Sequence, residues 1–122
     1  MPQPIAIHVF DNLMLGTGVH TNLEKLGYDV KRLDDPALLA PKAAELKPFL
    51  VAIDLTIKVG DVNAAIRAIK CDGSLQHIRV LAYGNHQDQA SLENARQAGA
   101  DVVTTHDAVA AHLGEVVQQV LA

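Results

Sequence analysis

Five short apolar stretches alternate along the chain with segments whose apolar residues recur at helical spacing. The first is Ile5-Ala6-Ile7-His8-Val9-Phe10, and the second, Tyr28-Asp29-Val30-Lys31-Arg32-Leu33, is far more polar. Phe49-Leu50-Val51-Ala52-Ile53, Ile78-Arg79-Val80-Leu81-Ala82-Tyr83 and Val102-Val103-Thr104-Thr105 complete the set. Stretches one, three and four are nearly continuous apolar runs, as expected of parallel strands covered on both faces. The charges in the second suit an edge strand.

The segments between them carry helix signals. Leu13 to Leu26 places Val19, Leu23 and Leu26 on one face and stops at Gly27, a residue suited to the position after a helix end. Asp35-Pro36 reads as an N-cap followed by proline at the first helical position, and Pro41 should break or restart that helix, leaving it short or irregular. Asp61 caps a segment with Val62, Ala65, Ile66 and Ile69 that ends near Cys71-Asp72-Gly73. Asp88 opens one with Leu92, Ala95 and Ala98 that stops at Gly99. Asp107 opens the last, which carries Val109, Leu113, Val116, Val117 and Val120. Strand–helix alternation with short connections requires right-handed crossovers and a parallel sheet. The expected architecture is a flavodoxin-like (βα)5 doubly wound sandwich with strand order 2-1-3-4-5, a single domain over residues 1–122. Function is then sought at the carboxyl ends of strands one and three, where the topology switches.

Composition narrows the classes. At 49% apolar and 20% charged residues the chain is an ordinary globular protein. No apolar run approaches the roughly 18–20 residues of a membrane span, and the opening MPQPIAIHVFD lacks the marks of a secretory signal. A single cysteine, Cys71, excludes an internal disulfide framework and fits a reducing, cytoplasmic setting. The net charge of −4, with scattered Lys and Arg, argues against nucleic acid as a partner.

The strand ends carry the chemistry. Strand one ends in Asp11, strand three in Asp54, strand four in Gly84-Asn85-His86 and strand five in His106. Two carboxylates on adjacent strand ends repel unless a cation or proton intervenes. A hard divalent cation, Mg2+ above all, relieves that repulsion, and an aspartate beside it can act as a nucleophile toward a phosphoryl group. The alternative role of Asp11 is a cap for the following helix; that of Asp54 is a solvated strand-end carboxylate.

With these residues in place the chain resembles the receiver domains of bacterial response regulators over essentially its whole length. The order of elements, the spacing of Asp11 and Asp54, the segment Phe49-Leu50-Val51-Ala52-Ile53-Asp54-Leu55 and Gly99-Ala100-Asp101 all match that family. The resemblance implies that Asp54 is the phosphoacceptor, that Asp11, Asp54 and the Thr56 carbonyl are magnesium ligands, and that a histidine kinase is the phosphate source. It also implies departures. The acidic pair after strand one is reduced to Phe10-Asp11, Gly84 replaces a Ser or Thr, His106 replaces a Lys, and Ile57-Lys58 replaces Met-Pro. The expected function is thus a non-enzymatic signalling module of a two-component or phosphorelay system. Its switching would be atypical or phosphate-independent, and it would act on separate protein partners or as a homodimer through the helix four–strand five–helix five face. The alternatives are a fully phosphorylatable receiver and a flavodoxin-like small-ligand or metal-binding domain.

Gly16-Thr17-Gly18 lacks the third glycine of a dinucleotide fingerprint and reads better as close helix–sheet packing. None of the six histidines forms a zinc-ligand pair by spacing, although His86 and His106 should share an edge with Asp11 and Asp54. Lys58 is a further edge candidate. His8 is expected as a hydrogen-bonded core histidine, His112 on the solvent side of the last helix, and Cys71 as a buried or half-buried packing residue.

Overall fold

The computed structural model describes residues 3–11, 13–58 and 60–121, with the side chains of Leu13 and Leu15 outside that description. Its strands are β1 (Ile5–Val9), β2 (Asp29–Leu33), β3 (Leu50–Asp54), β4 (Arg79–Gly84) and β5 (Val102–Thr105). They form one parallel sheet in the order β2-β1-β3-β4-β5. The helices are α1 (Leu13–Lys25), α2 (Leu39–Leu46), α3 (Val62–Lys70), α4 (Gln89–Ala98) and α5 (His106–Leu121). The flavodoxin-like order expected from the sequence is therefore the observed one, with the polar β2 at an edge.

Local chemistry explains where the elements start and stop. Asp35 accepts from the Ala37 N–H and opens a 3₁₀ turn at Pro36–Leu38, after which α2 restarts at Leu39 with Pro41 in its first turn, where the missing N–H costs nothing. Asp61 and Asp88 cap α3 and α4 through their carboxylates. Gly27 (φ 100°) and Gly99 (φ 115°) take the left-handed conformation that ends α1 and α4. Helix α5 begins one residue earlier than Asp107: the Thr105 hydroxyl accepts from the Ala108 N–H and does the capping. Its backbone leaves helical geometry at His112, which is exposed.

Strand alternation divides the core in two. Ile7, Val9, Val51, Ile53, Val80 and Ala82 face α2, α3 and α4, whereas Ala6, Leu50, Ala52, Leu81 and Tyr83 face α1 and α5. Two expectations fail at helix ends. Cys71 is exposed, because α3 stops at Lys70 and the residue after it turns outward. Leu26 is 46% exposed for the same reason at the end of α1.

Candidate functional site at the carboxyl edge of the sheet

Asp54 closes β3, and every residue of that strand is buried. Its side chain is 0% exposed, so the solvated-carboxylate reading does not hold. A carboxylate withdrawn from water needs donors. Oδ1 has three: the Thr56 N–H at 2.9 Å, the Thr56 hydroxyl at 2.7 Å and the ring Nε2 of His106 at 3.0 Å. Oδ2 is buried with no partner among the described residues.

His106 is the first residue of α5, and its side chain remains 20% exposed. The Tyr83 ring meets it edge-on, with centroids 5.2 Å apart and planes at 82°. Tyr83 lies opposite Asp54 in the β3–β4 register. Burial, and then the Asp54 charge, push its phenol far above the usual range. Its hydroxyl is hydrogen-bonded to Nε2 of His8, which is 0% exposed. The His8 ring in turn lies 4.2 Å from that of Phe10. His8 is thus the hydrogen-bonded core histidine its position suggests. Tyr83 is the residue that sequence reasoning missed, although its place on the Asp54 side of the sheet follows from strand alternation.

The remaining candidates scatter around this pair. Asp11 is half-buried, and its Oδ2 accepts from the Lys58 backbone N–H at 3.0 Å, tying the end of β1 to the loop after β3. Lys58 therefore reaches the edge through its backbone, while the residue itself is exposed. His86 stands at the same edge, its Nδ1 4.0 Å from Asp107, the residue after His106, with both side chains largely exposed. Among the described residues no group of three or more His, Cys, Asp or Glu converges as a metal site. Gly84 ends β4 in a narrow space. A Cβ there would lie 3.2 Å from Leu55 Cβ and 3.4 Å from Leu92 Cδ2, so a hydroxyl-bearing residue would fit tightly and press those side chains by a few tenths of an ångström. Gly16 backs directly onto the Phe10 ring, which assigns the Gly16-Thr17-Gly18 run to helix–sheet packing.

No protein-family model and no curated protein matches the sequence. Solved structures do. The fold is similar to that of a two-component response regulator of the LuxR family from Aurantimonas, at 26% identity and a TM-score of 0.81, over 98% of this chain and 85% of that one. It is similar to the receiver domain of a sensor histidine kinase from Pseudomonas aeruginosa, a structure with magnesium coordinated in its active-site cleft. That match has 23% identity and a TM-score of 0.86 over 99% and 98% of the two chains. A response regulator from Burkholderia pseudomallei, with a phosphorylated aspartic acid and a calcium ion, matches at 19% identity and a TM-score of 0.77, over 96% of this chain and 66% of that one. With a sheet ordered β2-β1-β3-β4-β5 and these likenesses along nearly its full length, the chain has the flavodoxin-like fold of response-regulator receiver domains.

Proposed function

We propose that this domain is a signalling module that acts through protein partners and whose switch departs from the usual phosphorylation of the strand-three aspartate. The observation that supports this is the state of Asp54, withdrawn from solvent with Oδ1 already occupied by His106 and by both donors of Thr56. Gly84 points the same way, since it has no hydroxyl to follow phosphoryl oxygens. An imidazole at 106 replaces the ammonium that would neutralise them. The module has no catalytic role of its own in this reading and works in the cytoplasm. Its partners are a histidine kinase or another protein, or a second copy meeting it across α4, β5 and α5. With a net charge of −4, nucleic acid is not among them.

One observation favours the competing reading, in which Asp54 is the phosphoacceptor. The orphaned Oδ2 is a hard oxygen with no partner, and hard oxygens suit Mg2+. Asp11, Asp54 and the Thr56 carbonyl would hold that ion, which when bound supplies positive charge to a transferring phosphoryl group. The magnesium in the Pseudomonas receiver's cleft accords with such a site.

Incubation with magnesium and acetyl phosphate, followed by intact mass measurement beside an Asp54→Asn control, tests the proposal. A phosphoryl adduct that hydroxylamine removes, and that the control lacks, refutes it. Wild-type protein without an adduct on Asp54 supports it.

A further inference from the structure

The pairing of His106 with a buried carboxylate has a chemical consequence of its own. Asp54 Oδ1 can only accept, so the ring nitrogen 3.0 Å away carries the proton, which places the lone pair of the neutral imidazole on Nδ1. Nδ1 has no hydrogen-bond partner among the described residues, yet it is not among the buried unpartnered atoms. It therefore opens to solvent from a side chain that is only 20% exposed. The ring is fixed at two places, by Asp54 at Nε2 and by the edge contact with Tyr83. A carboxylate that orients an imidazole and balances the charge it acquires is an arrangement that activates histidine.

We propose that His106 is a phosphoryl acceptor, with Asp54 as its positioning residue, and that the donor is of the phosphoramidate class, carrying a P–N bond. The proposal deepens the atypical-switch reading and rests on it. The Nδ1 lone pair forms the new N–P bond as the donor's P–N bond breaks. The leaving nitrogen departs as ammonia with the electron pair of that bond and the protons it already carries, so no further proton moves. Nε2–H stays on Asp54, whose charge offsets the positive character the ring gains. The accepting ring is thus held by a carboxylate that is 0% exposed and whose Oδ2 has no partner among the described residues. Asp107, the nearest exposed acid on α5, is turned toward His86.

The test uses the full chain and phosphoramidate itself. Intact mass and fragment mapping should find one phosphoryl group on His106, lost in mild acid and resistant to hydroxylamine. His106→Gln should abolish it, and Asp54→Asn should slow it by about tenfold, since a neutral amide forms a weaker bond to the ring than a carboxylate. Circular dichroism checks that both variants fold. A comparison within the wild-type protein needs no variant: His106 should be labelled ahead of the exposed His77 and His86. Equal labelling of these three histidines overturns the proposal, since no activation would then exist. Absence of any adduct overturns it while leaving the atypical-switch reading in place. A hydroxylamine-labile adduct on Asp54 overturns both.

Discussion

Acidification below pH 6.5 should weaken this domain through His8. His8 is central in β1, between Arg32 of β2 and Ala52 of β3 in register, and is 0% exposed. Its Nε2 is committed to the Tyr83 hydroxyl, while Nδ1 is buried without a partner. Protonation would therefore bury a charge and leave an N–H without an acceptor. Burial first, then the nearby charges of His20 on α1 and Arg32 on β2, lower the His8 pKa from 6.5 to about 3. Below pH 6.5 the unfolded chain takes up a proton that the folded chain refuses until about pH 3. The unfolded state then binds more protons, so stability falls as pH falls. The slope is about 1.4 kcal/mol per pH unit, which gives about 2 kcal/mol by pH 5 and about 5 kcal/mol across the whole window. Against the roughly 5–15 kcal/mol of an ordinary domain, that is a large share.

The measurement is urea unfolding followed by far-UV circular dichroism between pH 7.5 and 5, because the chain has no tryptophan to report by fluorescence. His8→Gln is the comparison, since an amide can still bond the Tyr83 hydroxyl and does not titrate. Losses shared by both proteins, from surface histidines and carboxylates, cancel in the difference. Wild type should lose about 2 kcal/mol more than His8→Gln between pH 6.5 and 5. Parallel stability curves would refute the reasoning.

Two further outcomes follow from packing. Gly16→Ala improves helix propensity by about 1 kcal/mol, but its methyl lands on the Phe10 ring, which is 2% exposed with Arg32 4.7 Å above it. Overpacking of about 1–3 kcal/mol should outweigh the gain, lowering the urea midpoint, and Phe10→Leu should relieve part of the loss; an unchanged midpoint contradicts this. Asp101→Asn weakens a half-buried hub. Its Oδ2 accepts from the Val80 N–H at 2.7 Å and from Lys70 Nζ at 2.6 Å, and Arg79 lies 3.6 Å from Oδ1. A loss of about 1–3 kcal/mol is expected in the same assay, and indifference to the change would mean that the Gln76 and Ile78 carbonyls suffice to hold Lys70.

The sheet was legible because its determinants are one-dimensional. Apolar runs mark strands buried on both faces, and the exposed Lys31 and Arg32 mark β2 as an edge. Gly27 and Gly99 mark helix ends because their left-handed backbone disfavours a side chain. Where a residue lies just past a helix end, spacing no longer fixes its direction, which is why Cys71 and Leu26 are more exposed than their patterns suggested. At the edge, Asp11, Asp54, Gly84 and His106 could be placed from strand ends alone. The hydrogen bond of Asp54 with His106 could not, because it depends on how α5 docks and on the histidine rotamer. The cap comes from Thr105, two residues ahead of Asp107.

The identity of residue 106 changes more than a charge. A lysine ammonium on a flexible stem can follow a phosphoryl group as it arrives, whereas a planar ring held between Tyr83 and Asp54 has little freedom to move. Gly84 removes a second mobile element, since it carries no side chain and Leu55 and Leu92 stand close to it. The edge is therefore preorganised around its carboxylate in the unmodified state. What remains free among the described residues is the orphaned Oδ2 of Asp54 and Nδ1 of His106, the two unengaged atoms of one hydrogen-bonded pair. A hard cation would engage the first and a phosphoryl group the second. Because His106 is also the first residue of α5, chemistry at Nδ1 acts on that helix directly. Asp54, by contrast, sits within the sheet, opposite the buried Tyr83 of β4.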